Sequence, residues 1–543
     1  MSQNKDFDMK QKLLLLGDEA IALAAINSGI AGVYAYPGTP STEITEFIQG
    51  NKVARENGVH SKWCTNEKTA MEAALGVSYV GRRAIVCMKH VGMNVAADAF
   101  VNSGITGANG GVLVIAADDP SMHSSQNEQD SRFYGKFAFI PVLEPSNQQE
   151  AYDMTRFGLE LSEKMRTPVL MRITTRMAHS RAVVEVDDEV EKHENIKFPD
   201  WPWVLLPAIS KKRYVEVLAN YDKLEEMADS SIYNKYIDGP DHSMGIIACG
   251  IAYNYLMENM KDGCNHPILK ISQYPFPKAL IKKMADECES ILVLEEGQPF
   301  LEEYLRGILD EGKKIMGRIT GEVPRTGELN ADYIKPALGL GEIPSETIPA
   351  VVVNRPPALC QGCGHRDVYT ALNKVLEEYP NHRVFSDIGC YTLGALPPFR
   401  AINSCVDMGA SITMAKGAAD AGLFPSVAVI GDSTFTHSGI TGLLDAANSN
   451  ANVTIVISDN LTTGMTGGQD SAGTGKLEQI CEAVGVAKEH IRVVVPLAKN
   501  LPEIENVIRE EIEYNGVSVI IPRRECIQTY SRKARLKKAE ASK

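Results

Sequence analysis

Two acid- and amide-bearing turns carry the clearest chemistry in this chain. Gly431-Asp432-Ser433 follows the apolar run Val427–Ile430, and Asp459-Asn460-Leu461-Thr462 follows Val453–Ser458. Both turns stand at carboxyl ends of predicted parallel strands, where open α/β sheets bind ligands. Asp432 and Asn460 offer hard oxygens, which suit Mg²⁺; that ion keeps few protein ligands and takes the rest from phosphate and water. Gly439 and Gly442 are expected where the chain comes close to a diphosphate, on a helix start that favours the anion. The plainer reading of Gly-Asp-Ser is a strand-to-helix turn capped by Asp or Ser. The Asn after a second strand favours the metal and diphosphate.

A second set of residues is thiol-bearing. Cys360-Gln361-Gly362-Cys363-Gly364-His365 is a C-x-x-C on a glycine-rich loop. Cys390 closes Ser386-Asp387-Ile388-Gly389-Cys390, and Cys526 follows Arg523-Arg524-Glu525. Four thiolates suit zinc or a [4Fe–4S] cluster equally. Alternatively, Cys390 and Cys526 are core residues and the C-x-x-C is redox-active or incidental. Spacing alone does not choose. Cys64, Cys87, Cys249, Cys264, Cys288, Cys405 and Cys481 lack ligand spacing and read as packing residues. In the first third, Glu67 opens a helical pattern with small residues behind it, Thr69-Ala70-Met71-Glu72-Ala73-Ala74. By itself it reads as an acid in a helix's first turn, where acids are favoured.

These residues need strands and helices to hold them. Gly32–Tyr36, Ala84–Met88, Gly111–Ala117 and Val169–Ile173 are continuous apolar runs with helical patterns between them. That is the pattern of a parallel sheet covered on both faces. We expect doubly wound α/β domains at 1–186, 241–340 and 358–530, with linkers at 187–240 and 341–357 and a basic tail at 531–543. The first linker carries Phe198-Pro199-Asp200-Trp201-Pro202-Trp203. Residues 1–185 and 358–530 are candidates for two copies of one architecture.

With 543 residues, 44% of them hydrophobic and 23% charged, the chain is long enough to bury a sizeable core. A net charge of −14 argues against a general nucleic-acid binder. Eleven cysteines are too few for a disulfide scaffold at this length. Met1–Lys10 is polar, Leu13–Leu16 is too short for a signal sequence, and no apolar run reaches the ~18 residues of a membrane helix. A cytoplasmic protein is expected.

Several motifs together resemble the 2-oxoacid:acceptor oxidoreductases that use thiamine diphosphate, and the indolepyruvate branch above all. They are Tyr36-Pro37-Gly38-Thr39-Pro40-Ser41-Thr42, Asn66-Glu67-Lys68, Met88-Lys89-His90-Val91-Gly92-Met93-Asn94 and the long run Asp118–Asp130. The Gly431–Asn460 pair is similar to the thiamine-diphosphate signature, with Ser433 in place of its usual third glycine. The resemblance spans nearly residues 10–530 and implies transketolase-like domains. It implies Glu67 as the acid that activates the cofactor's pyrimidine, and Asp432, Asn460 and the Thr462 carbonyl as Mg²⁺ ligands. Gly389, Cys390, Gly431 and Ser433 fall in the cofactor pocket, and Thr39, Lys89 and His90 near the substrate. Cys360, Cys363, Cys390 and Cys526 match the positions of a [4Fe–4S] cluster. The implied reaction is oxidative decarboxylation of an arylpyruvate, with coenzyme A taking the acyl group. A small β subunit and ferredoxin are the implied partners, in an assembly of two large and two small chains. The family usually adds a C-terminal ferredoxin-like domain with C-x-x-C-x-x-C-x-x-x-C-P runs; this sequence shows none, so electrons are expected to leave through a partner. The rivals are a non-oxidative decarboxylase and a non-catalytic scaffold.

Overall fold

The computed structural model describes residues 11–187, 189–197, 203–261, 263–344, 347–353 and 355–541. The polar start Met1–Lys10 and the Phe198–Pro202 part of the linker motif lie outside them. The chain divides into one unit ending at Thr347 and another beginning at Ile348.

The first unit is built on a six-stranded sheet. In spatial order its strands are Gln273–Tyr274, Val142–Leu143, Val169–Thr174, Val112–Asp118, Ala84–Lys89 and Gly32–Ala35. All ladders are parallel except that of the edge pair Gln273–Tyr274. The central strands are largely apolar because both faces are covered. Side chains alternate across a strand, so Ile85 and Cys87 enter one core and Ala84, Val86 and Met88 the other. Helices Gly17–Asn27 and Gln148–Met165 pack on the first face, and Glu67–Tyr79 and His90–Thr106 on the second. Leu13–Leu16 belongs to a strand, Gln11–Leu16, that pairs antiparallel with Arg181–Val186.

A five-stranded sheet follows in the same unit, ordered Lys314–Met316, Ser290–Leu294, Met244–Cys249, Ile268–Ile271, Lys235–Ile237. The two larger hydrophobic cores of the unit take side chains from both sheets. The stretch read as a 187–240 linker is more ordered than expected. It holds the helix Pro207–Asp229 and the antiparallel edge strand Lys235–Ile237. The helix buries only Leu224 and Ala228 within its length. Its Ala, Lys, Glu and Leu content is strongly helix-forming, and the charge density that suggested a linker is its solvated face.

The second unit also has a six-stranded sheet, wholly parallel: Ser404–Cys405, Arg383–Ser386, Ser426–Gly431, Val453–Ser458, Val517–Pro522, Ile491–Val494. Helices Gly364–Leu376 and Leu501–Glu513 cover one face, and Ala410–Asp420 and Ile440–Asn448 the other. Leaving aside the two-residue edge strands, the two six-stranded sheets share one order. Numbered along the chain, the strands run first, second, third, fifth, fourth in both. The basic tail is helical, Ile527–Ala541, rather than irregular. Arg532 donates to the Gly467 carbonyl at 2.9 Å and Lys533 pairs with Glu525 at 2.8 Å. Among the described residues no helix is long and apolar enough to cross a membrane.

Candidate cofactor and cluster sites

In the second unit the strand order reverses between Arg383–Ser386 and Ser426–Gly431. Such a switch point leaves a crevice outside the carboxyl ends of the two strands. Their next residues are Asp387–Cys390 and Asp432. Asp432 begins a helical run that passes through a π turn, Phe435–Gly439, into Ile440–Asn448. Such turns are frequent at functional sites. Asp432 is buried, and its Oδ2 has no hydrogen-bond partner. Burial, then the charge of Asp459, pushes its carboxyl up to about 7. An orphaned, destabilised carboxylate is what a bound cation would satisfy.

On the next strand end, Leu461 takes a left-handed backbone (φ 60). That conformation is costly for a branched-chain residue and often marks a functional turn. It separates Asn460 from Thr462, whose amide donates to Asn460 Oδ1 at 3.1 Å. Ser433 Oγ and Thr463 Oγ1 lie 2.9 Å apart and tie the two turns together. Asp459 is held away by Arg523 (2.6 Å), itself paired with Glu478 (2.7 Å). The donor set fits Mg²⁺, for which Asp432 and Asn460 would be the side-chain ligands. A Cβ on Gly439 would stand 2.7 Å from Ile430 Cδ1, so this glycine lets the helix pack on the Ser426–Gly431 strand, whereas one on Gly442 would make only ordinary contacts, the nearest 3.4 Å from Thr413 Cγ2.

Cys360, Cys363, Cys390 and Cys526 line one cavity of about 120 Å³, whose wall includes Asn460 and Gly464. The Cys526 amide donates to the Asn460 carbonyl at 3.0 Å. A Cβ on Gly464 would sit 3.1 Å from Cys390 Sγ and 3.6 Å from Asn460 Nδ2. The cysteine cavity and the Asn460 turn are therefore in direct contact. Burial, then the neighbouring cysteines, pushes Cys390 up to about 12, and burial raises Cys363 as well. Cys363, Cys390 and Cys526 are half-buried and Cys360 is exposed; thiols that converge in this way become stable as thiolates when a metal centre offsets their charge. Four converging thiols are the donor set of zinc or of an iron–sulfur cluster. Cys405 departs from its expected packing role: it is exposed, with Sγ 3.7 Å from the Asp387 carbonyl.

In the first unit, Thr39 and His90 follow the carboxyl ends of adjacent strands, and Lys89 is the last residue of one of them. Ser41 Oγ and its amide close the Tyr36–Thr42 turn onto the Gly38 carbonyl at 2.8 and 2.9 Å. Glu67 is buried at the first turn of its helix, behind the cap Asn66, whose side chain accepts from the Thr69 amide at 2.9 Å. A Cβ on Gly92 would lie 2.7 Å from Glu67 Cγ. Gly92 thus gives the carboxyl its room. Lys89 donates to the Ser124 carbonyl at 2.7 Å, and His90 Nε2 lies 3.1 Å from the Asn127 carbonyl. Burial holds Lys89 below its ordinary range. The long Asp118–Asp130 motif is therefore the loop that rests on Lys89 and His90. Asp119 shapes it by accepting from Ser124 N (2.8 Å), Ser125 Oγ (2.6 Å) and Thr175 Oγ1 (2.8 Å).

Sequence reasoning missed Asp387, Gly92 and Gly464. Asp387 is buried at the switch point and pushed up to about 7 by that burial; Ser411 donates to it at 2.6 Å and Tyr391 also donates. Its position just after a strand, like that of Asp432, was the available signal. The two glycines gave none, because their roles depend on neighbours distant in sequence.

Comparison with known proteins places these features. Residues 23–202 match the family described as pyruvate flavodoxin/ferredoxin oxidoreductase, thiamine diP-bdg. Residues 387–521 match the thiamine pyrophosphate enzyme, C-terminal TPP binding domain. The chain is 38% identical to indolepyruvate oxidoreductase subunit IorA of Archaeoglobus fulgidus, over 97% of this chain and 88% of the relative. It is 39% identical to the subunit of that name from Thermococcus kodakarensis, over 95% and 86%. Among solved structures, 2-oxoglutarate:ferredoxin oxidoreductase from Magnetococcus marinus aligns at 16% identity and TM-score 0.48, covering 57% of this chain and 62% of that one.

Proposed function

Because the chain belongs to the family of indolepyruvate oxidoreductase IorA subunits, which are thiamine-diphosphate-dependent 2-oxoacid:ferredoxin oxidoreductases, we propose that it oxidatively decarboxylates arylpyruvates such as indolepyruvate and phenylpyruvate. Coenzyme A takes the acyl group, CO₂ leaves, and two electrons pass singly through a [4Fe–4S] cluster to ferredoxin or a partner subunit. A small β subunit completes the enzyme, in an assembly of two large and two small chains, in the cytoplasm. The observation that carries the reading is the single cavity lined by Cys360, Cys363, Cys390 and Cys526 with Asn460 in its wall. A cluster there would adjoin the turn that holds the cofactor's metal.

Thiamine diphosphate, when bound, supplies a nucleophilic carbon and a sink for the electron pair left by CO₂. The chain's own residues do the rest. Glu67 would hydrogen-bond the pyrimidine nitrogen and fix its tautomer, kept in place by the Gly92 helix. Asp432, Asn460 and the Thr462 carbonyl would hold Mg²⁺, and the amides at the start of the Asp432 helical run would meet the diphosphate. Gly389 and Gly431 make room for the Tyr391 ring, whose Cε1 lies 2.2 and 2.6 Å from where a Cβ on each would stand, and Ser433 would line the diphosphate turn. Lys89 and His90 would hold the substrate carboxylate as cation and donor, with Thr39 at the mouth of the turn.

The test is iron and acid-labile sulfide on anaerobically purified protein, with an ultraviolet–visible spectrum. The expected result is about four irons per chain and a shoulder near ~400 nm, lost in Cys526→Ser. Zinc or no metal in the cavity would overturn the oxidative step and leave a non-oxidative 2-oxoacid decarboxylase.

A further inference from the structure

We propose that Asp18, Glu43 and His179 bind one divalent transition-metal cation, at a site separate from the cofactor metal, which anchors the Tyr36–Thr42 turn. One ligand atom from each of the three residues lies within 4.8 Å of the other two. The three come from different elements. Asp18 is in the first turn of Gly17–Asn27, Glu43 in the first turn of Thr42–Gly50, and His179 ends Thr175–His179.

The chain brings them together by a close approach. A Cβ on Gly17 would stand 2.1 Å from the Met177 carbonyl oxygen. Only glycine lets the first helix start against the Thr175–His179 turn, which sets Asp18 beside His179.

Asp18 is the observation that points to a ligand. It is 0% exposed, and neither of its carboxylate oxygens has a hydrogen-bond partner. Glu43 Oε2 is likewise buried without a partner, while its Oε1 lies 3.5 Å from His179 Nε2. Burying a carboxylate without hydrogen bonds costs several kcal/mol, and Glu43 adds repulsion. The nearby Glu19 brings no relief, since it is itself an anion, engaged with the Leu16 amide (2.8 Å) and Arg181 (3.3 Å). Two carboxylates and a neutral imidazole carry a charge of −2, which one divalent ion cancels. Mixed oxygen and imidazole donors suit Mn²⁺, Fe²⁺ or Zn²⁺. The half-exposed His179 leaves a way in from solvent. The turn that carries Thr39 runs directly into the Glu43 helix, so a bound ion would fasten that turn to two other elements.

The test is Mn²⁺ bound per full-length chain after chelator treatment, counted by electron paramagnetic resonance. Wild type is compared with Asp18→Asn and His179→Gln. Mn²⁺ avoids the thiols, which prefer softer metals, and binding at Asp432 is common to all three chains and cancels. Each variant is expected to hold one equivalent less than wild type. Added Mn²⁺ should raise the melting temperature of wild type but not of Asp18→Asn. Asp18→Asn removes an uncompensated buried charge, and His179→Gln alters a partly exposed side chain, so both chains should fold. Equal metal content in the three, repeated with Zn²⁺, would overturn the site and make Asp18 a buried neutral acid.

Discussion

At the residue scale, the proposed chemistry would rest on carboxylates given unusual surroundings. Glu67 is buried at a helix start, and Asp432 is buried with an orphaned oxygen. Glu67→Gln keeps the shape and removes the acid. Substrate-dependent viologen reduction should fall on the order of 10²–10³-fold, in the range of a lost proton-transfer group, while the melting temperature stays near wild type. Gly92→Ala tests the packing behind it. The new Cβ would meet Glu67 Cγ at 2.7 Å, so activity should drop with a stability loss of ~1–3 kcal/mol, read by denaturant unfolding. A full-activity Gly92→Ala enzyme would mean that the Glu67 carboxyl does not need its present position.

At the element scale, the candidate site residues collect where strands end. Thr39 and His90 follow strands of the first unit's six-stranded sheet, Lys89 ends one of them, and Asp387, Asp432 and Asn460 follow strands of the second unit's sheet. The Glu67 helix is placed by its cap. Asn66→Ala would free the Thr69 amide and should cost ~1 kcal/mol in chemical denaturation, with turnover falling less than in Glu67→Gln. The strands were legible in sequence because parallel strands buried on both faces are continuous apolar runs. The Pro207–Asp229 helix was not. It buries so little that it has no apolar stripe to read, and helix propensity rather than periodicity defines it.

At the scale of the whole molecule, the first unit buries a cluster of charges, and its Arg132–Glu295 pair joins the two sheets. Arg132 pairs with Asp130 (2.5 Å) and Glu295 (2.9 Å), and Arg172 with Asp118 (2.7 Å) and Glu144 (2.5 Å), all fully or nearly fully buried. Arg132→Met would strand two carboxylates and should cost ~3–5 kcal/mol, measured as a lower urea midpoint. Glu296, beside Arg318 at 3.2 Å, is pushed up to about 7, chiefly by burial. An acid whose folded value is raised stabilises most below its unfolded value near ~4.5 and loses that contribution as pH rises through about 7. Glu296→Gln should therefore match wild type near pH 4.5 and exceed it by on the order of 2 kcal/mol at pH 8. A constant difference across that range would count against the assignment.

Local patterns alone determined much of this protein. Apolar runs specify the strands, and the turns after them place Asp432, Asn460, Lys89 and His90 at sheet ends, because a parallel strand must finish at that edge. The cysteine spacings could not distinguish cluster ligands from core thiols. Only the fold brings Cys360, Cys363, Cys390 and Cys526 to one cavity, since they arrive from three separate segments. The shared strand order of the two six-stranded sheets, the room that Gly92 gives Glu67 and the meeting of Asp18 with His179 are likewise tertiary. Each depends on residues far apart in the chain, and the sterics that decide them exist only once the chain has packed.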